Sequence, residues 1–224
     1  MPESDRDRQI EGWTRPTVHP LLPEFSLALA HRLDPLWNAT AAELENTGLE
    51  PPWWAFAWPG GLALARHILD HPDLVKGHRV LDLGCGSGVV GLAAARAGAA
   101  HVLCSDVDPY ATAATRVNAT RNGLKVDISQ QDLLAESDVF FDVLLAGDAL
   151  YEPAMARGVG RLAAAITRRG GTAWFGDPRR AAFPARGLTA VATYDVSVNR
   201  EVEATEQMST TIWRLDDPTF WEGT

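Results

Sequence analysis

From residue 79 onward, short apolar runs alternate with longer helical segments, the pattern of a parallel sheet with helices on both faces. The runs RVLDLG (79–84), HVLCSD (101–106), KVDISQQD (125–132) and FFDVLLAGD (140–148) predict four strands, the last apolar enough to be buried on both sides. Between them, SGVVGLAAARAG predicts a helix closed by Gly98. DPYATAATRVNATRNG predicts another, with Asp108 as N-cap, Pro109 in its first turn and Gly123 at its end. Glu152 and Pro153 open a helix to about Thr167, stopped by Gly170 and Gly171 before the strand TAWFGD. Two β-branched stretches, LTAVATYDVSV and MSTTIWRL, predict further strands. The first fifty residues read differently: PEFSLALAHRLDPLWNATAAELENTG predicts helix with a break at Pro35, so residues 1–50 form a helical cap over a single unit, 51–224.

A chain of 224 residues with 46% hydrophobic and 22% charged content is long enough for one sizeable core. A net charge of −9 argues against nonspecific nucleic-acid or anionic-membrane binding and favours a basic partner. No stretch reads as a membrane span, and the acidic start MPESDRDRQIEGW reads as neither secretion signal nor transit peptide, which predicts a cytoplasmic protein. Cys85 and Cys104 lack companions at metal-ligand spacing and predict two buried thiols, with no metal.

The candidate chemistry begins at VLDLGCGSGVVGLAA. Gly84, Gly86 and Gly88 fall between a strand and a helix, where the chain turns sharply and a ligand can approach the backbone. Gly86, Gly88 and Gly91 also satisfy the dinucleotide pattern, with Asp106 twenty residues after Gly86, so spacing alone admits a nicotinamide dehydrogenase. Asp82, inside the strand, would repel a pyrophosphate and suit a cationic amino-acid moiety, which favours S-adenosylmethionine. Asp106, at the end of the second strand, is placed to accept from ribose hydroxyls.

LDLGCGSG is the glycine motif of class I S-adenosylmethionine-dependent methyltransferases. PPWWAFAWPGG, SDVDPYA, LLAGDALYE, FGDPRRAAFP and TTIWRL narrow the likeness. From about residue 13 to 215 the chain resembles the lysine methyltransferases of the electron transfer flavoprotein beta subunit and their bacterial relatives, a wider group whose acceptors include ribosomal proteins. The resemblance implies a Rossmann-like seven-strand sheet, S-adenosylmethionine as donor and a protein lysine as acceptor. It puts Asp132 near the adenine, Trp58 on a wall of the cofactor pocket with Gly60 behind it, Gly147 beside the cofactor, and Asp148 and Tyr151 along the acceptor channel.

A lysine amine, with an ordinary pKa of about 10.4, must lose its proton before it can attack a methyl group, and apolar aromatic walls favour the neutral form. The aromatic run 51–61 would supply those walls: Trp58 at the cofactor, Trp53 or Trp54 toward the substrate entrance, and Phe56 in the core. Arg168, Arg169, Arg179 and Arg180 read as a solvated rim. A methyltransferase for a small amine metabolite and a dehydrogenase stand as alternatives.

Overall fold

In the computed structural model, which describes residues 5–30, 51–135, 140–184 and 186–219, the chain opens with helix α1 (Asp5–Trp13) and a hairpin of β1 (Arg15–His19) and β2 (Leu22–Leu29). Then follow α2 (Pro59–Asp70), β3 (Arg79–Leu83), α3 (Val89–Arg96), β4 (His101–Ser105), α4 (Pro109–Arg121) and β5 (Asp127–Ser129). The remainder is β6 (Val143–Gly147), α5 (Pro153–Arg168), β7 (Thr172–Asp177), β8 (Leu188–Ser197), the short α6 (Arg200–Glu203) and β9 (Gln207–Leu215). Strands β3 to β9 form one seven-strand sheet in the order β5-β4-β3-β6-β7-β9-β8. It is parallel from β5 through β7, and β9 runs antiparallel to both β7 and β8.

Alternation along the strands sends side chains to two cores. Val80, Val143, Leu145 and Trp174 pack with α2 and α3 on one face, while Leu81, Leu144, Ala173 and Phe175 pack with α5 on the other. The helix signals act as the sequence predicts. Asp108 caps α4 by accepting from the Tyr110 N–H at 2.8 Å, and Gly98, Gly123 and Gly170 take left-handed φ of 92°, 63° and 91° just past helix ends.

The N-terminal segment departs from expectation. Where helix is predicted from Pro23, the chain forms β2, so the described part of residues 1–50 contains one helix and a hairpin rather than helices alone. The reason is distant pairing: Asn118 of α4 and Asn122, which caps its C-terminus, accept from the backbone N–H groups of Ala28 (2.6 Å) and Ser26 (3.0 Å), and Asn122 donates back to the Ser26 carbonyl at 2.9 Å. An extended backbone edge is thus satisfied by side chains, which outweighs the helix preference of Leu and Ala. The break predicted at Pro35 lies outside the described residues.

The fold fixes where a ligand can lie. The chain runs from β3 outward to β4 and β5, then returns to β6 on the other side of β3, so a crevice opens at the carboxyl ends of these strands. Among the described residues no helix is long and apolar enough to cross a membrane.

Candidate active site

The turn after β3 is built from backbone that only glycine adopts easily. Gly84, Gly86 and Gly88 have φ of 66°, 52° and 80°, and a Cβ on Gly88 would sit 2.8 Å from Thr115. The amides of Gly84 and Cys85 donate to the Ser105 carbonyl at 2.8 and 3.1 Å, tying the turn to the end of β4. Asp106 secures it from the same strand end, accepting the Gly86 N–H at 2.9 Å and the Asp108 N–H at 3.0 Å. Burial raises the Asp106 pKa against those bonds. A Cβ at Gly84 or Gly86 would find its nearest neighbour only at 3.7 or 3.8 Å, so the turn leaves open the space that side chains would fill. That cradle, with a carboxylate beside it, fits an adenosyl ligand.

Asp82 has a different setting from the one expected. It is 1% exposed, and its carboxylate accepts the Gly91 N–H at 2.8 Å, so it braces the first turns of α3 from beneath instead of facing a ligand. Burial pushes its pKa up to about 7. A carboxyl whose folded pKa is raised gives stability that is full below its unfolded pKa of about 3.9 and is lost as pH rises through about 7. Asp82→Asn is therefore expected to gain melting temperature relative to wild type between about pH 4 and pH 7, with the gap constant above that window. A gap that does not widen with pH would contradict this.

Asp148 ends β6 with φ of 52°. One carboxylate oxygen accepts the Gly60 and Gly61 N–H groups at 2.5 and 3.1 Å, capping α2, whose own N-cap residue Trp58 offers no side-chain acceptor. The other oxygen meets the Arg180 guanidinium, with Nε at 2.9 Å. Burial raises Asp148 to about 6, opposed by Arg180 and the two amides. The crossing of α2 over the strand ends is close: a Cβ on Gly147 would lie 2.5 Å from the Gly61 Cα, and one on Gly60 2.1 Å from the Gly176 carbonyl oxygen.

The aromatic run divides. Trp58 donates its indole N–H to the Trp53 carbonyl at 2.7 Å, the two rings lie 5.6 Å apart, and Arg180 stands over the Trp58 ring at 5.5 Å. Trp53 is 42% exposed. Trp54 is placed elsewhere: 2% exposed, it stacks on Tyr110 in the core beneath α1, so it does not line an open entrance. Phe56 is core, as expected. Trp54→Ala is expected to cost about 3–5 kcal/mol, seen as a melting-point fall of roughly 6–20 °C, against a smaller fall for Trp53→Ala. Equal falls in thermal melting would contradict that division.

Tyr151 is half-exposed on the connection from β6 to α5, and Asp132 is exposed after β5, where its carboxylate accepts the Leu134 N–H at 3.0 Å. Cys85 and Cys104 are buried free thiols. The rim reading of the arginines fails at Arg180, which is held by Asp148 and Glu203, all three largely shielded from solvent. Sequence reading also passes over Asp177 at the end of β7. It is fully buried; one carboxylate oxygen accepts the Arg180 backbone N–H at 2.7 Å, and the other has no partner among the described residues. Burial pushes Asp177 up to about 7, and Asp148 beside it adds to the rise. Its position as the acid ending TAWFGD, one strand over from Asp148, is the signal that could have found it.

Comparison with known proteins places this geometry. The family model for ribosomal protein L11 methyltransferase (PrmA) matches residues 64–152. A Xenopus laevis protein named electron transfer flavoprotein beta subunit lysine methyltransferase is 35% identical over 209 residues, covering 91% of this chain and 84% of its own. The Danio rerio protein of that name is 34% identical, covering 88% and 77%. Among solved structures, a T. thermophilus 16S rRNA methyltransferase in complex with AdoMet and guanosine superimposes with a TM-score of 0.52 at 21% identity, covering 72% of this chain and 43% of that one, a likeness of fold.

Proposed function

Because the chain belongs to the electron transfer flavoprotein beta subunit lysine methyltransferase family, we propose that it transfers a methyl group from S-adenosylmethionine to a lysine side chain of a protein. The proposed acceptor is the electron transfer flavoprotein beta subunit named for these relatives; a ribosomal protein is the second candidate, favoured by the match over residues 64–152. The observation that carries the reading is the acid cluster beside the glycine turn. Asp148 and Glu203 share one guanidinium, so with both ionised the cluster keeps net negative charge next to the Trp58 and Trp53 rings. Such a place attracts an ammonium group and offers it ring faces.

When bound, S-adenosylmethionine supplies an electrophilic methyl on sulfur, to which the amine nitrogen bonds as the carbon–sulfur bond breaks. The residues of this chain hold and orient. Gly84, Gly86 and Gly88 admit the ligand to the backbone, Asp106 takes its ribose hydroxyls, and Asp132 lies toward the adenine. Asp82 braces the turn from below. Gly60 and Gly147 let α2 cross close enough for Trp58 to wall the pocket. Asp148 draws in the ammonium, Tyr151 and Trp53 flank its path, and the apolar walls favour loss of its proton. The described segment 5–30 acts as a cap on the unit that begins at residue 51, and the two thiols suit a reducing cytoplasm.

Tritiated S-adenosylmethionine, offered with purified electron transfer flavoprotein beta subunit, ribosomal protein L11 or a small-molecule extract, tests this. Label is expected on a lysine of the first. Label on L11 selects the second acceptor, and label confined to the extract would replace the protein acceptor with a small amine. Stabilisation by NAD and not by S-adenosylhomocysteine would overturn the methyltransferase reading.

A further inference from the structure

We propose that Arg180 is a positioning residue of this site: pinned by Glu203 from the connection between β8 and β9, it holds the Asp148 carboxylate in its cap on α2 and beside Trp58, so the site is complete only when residues 200–203 are seated. The proposal rests on the role given to Asp148 above.

Arg180 is fixed at both ends. Its backbone N–H donates to Asp177 at 2.7 Å, and its side chain, 20% exposed, reaches Asp148 through Nε at 2.9 Å and Nη2 at 2.8 Å. Nη1 donates to one Glu203 oxygen at 3.0 Å while Nη2 serves the other, the paired geometry a planar guanidinium provides and an ammonium does not. The Glu203 side chain is 8% exposed, so α6 places a carboxylate inside the site.

The groups facing Asp148 are the Gly60 and Gly61 amides from α2, Asp177 from β7, Arg180, and Glu203 beyond it from α6. Among the described residues, Arg180 is the one cation engaging this group of three buried carboxyls, Asp148, Asp177 and Glu203. Without it Asp148 would take up a proton near neutral pH and lose the charge that draws in an ammonium. Its rotamer would also be free to leave the cap, because nothing else in this set holds the oxygen that Arg180 engages.

The test uses Arg180→Met, Arg180→Lys and Glu203→Gln in the full chain. The Asp148 carboxyl is titrated by carbon-13 NMR, assigned with Asp148→Asn, and kcat and KM for methyl transfer are measured across pH. Arg180→Met is expected to raise the Asp148 titration by about 1–3 pH units, with the acidic limb of kcat rising in step. The rate at neutral pH then falls roughly tenfold or more, while stabilisation by S-adenosylhomocysteine persists. Arg180→Lys should restore part of the titration and less of the rate. Glu203→Gln keeps the guanidinium but loosens its pin; a fall in its plateau kcat, read above the Asp148 titration, reports lost positioning. An unchanged Asp148 titration in folded Arg180→Met, or a wild-type plateau in Glu203→Gln, overturns the proposal. Should Arg180→Met fail to fold, the other two variants decide. Should wild type label no protein, the function above fails while the titration still decides the clamp.

Discussion

Asp148→Ala is expected to cut methyl transfer by roughly one hundred- to one thousand-fold, the usual loss when a single buried electrostatic partner of a reacting group is removed. Its carboxylate, just past β6, is engaged by the Gly60 and Gly61 amides and by Arg180, whose guanidinium stands over the Trp58 ring. The same substitution strips an acceptor from the Gly60 and Gly61 amides and a partner from Arg180, so the melting temperature falls as well. The two effects separate in the assay. Activity is read at a temperature where circular dichroism shows the variant folded, and the melting-point rise caused by S-adenosylhomocysteine is read alongside it. Loss of transfer with that rise retained is the expected outcome. Transfer within a few-fold of wild type would remove Asp148 from the acceptor side and leave it a helix cap.

Gly60→Ala should be strongly destabilising for a single added methyl group. Its Cβ would stand 2.1 Å from the Gly176 carbonyl oxygen, 2.5 Å from an Asp148 carboxylate oxygen and 2.7 Å from the Asp148 amide nitrogen. Two of those atoms are backbone of adjacent strands and cannot yield, so α2 itself has to move away from the sheet. A cost of about 3 kcal/mol or more is expected, a melting-point fall of roughly 6–12 °C. Gly61→Ala, one residue on, is the control: its Cβ would meet Val89 at an ordinary 3.5 Å, and alanine is the better helix former. Near-equal melting temperatures for the two variants would show that the crossing of α2 over β6 and β7 is looser than described.

What the sequence made legible was local. The β3 to α3 turn announces itself through three glycines, all of which do take left-handed backbone, and Asp108 followed by Pro109 marks the start of α4 to the residue. Strand β6 is apolar throughout, and β7 is apolar between Thr172 and Asp177, because both faces are covered. What stayed hidden depends on partners far along the chain. LPEFSLAL carries helix-forming residues, and its extended form follows from asparagines in and just past α4, ninety or more residues away. The resemblance puts Asp148 along the acceptor channel, but nothing near it in sequence shows that it also caps α2, 88 residues upstream. Arg180 looks like one of a pair of surface arginines, and only the seating of α6 against it makes it an enclosed ion partner. Trp53 and Trp54 cannot be told apart by composition. A single 3-10 turn, Trp53–Ala55, sends one ring outward and the other under α1.

Helix α2 joins these observations into one device. Its first turn is held by a carboxylate from β6, its N-cap residue is Trp58, and its glycines let it press on the ends of β6 and β7. The aromatic segment 51–58 is therefore registered against the acid cluster by backbone contacts that no side chain can relax.

A crystal structure of the protein with S-adenosylhomocysteine would show whether a methyl donor seats on the glycine turn with its sulfur directed toward Asp148 and Trp58. The ligand is predicted to lie across the turn at Gly84, Gly86 and Gly88, its ribose on Asp106 and its sulfur facing the Asp148 side of the crevice. A ligand bound away from that turn, or with its sulfur pointing out of the crevice, would contradict the account.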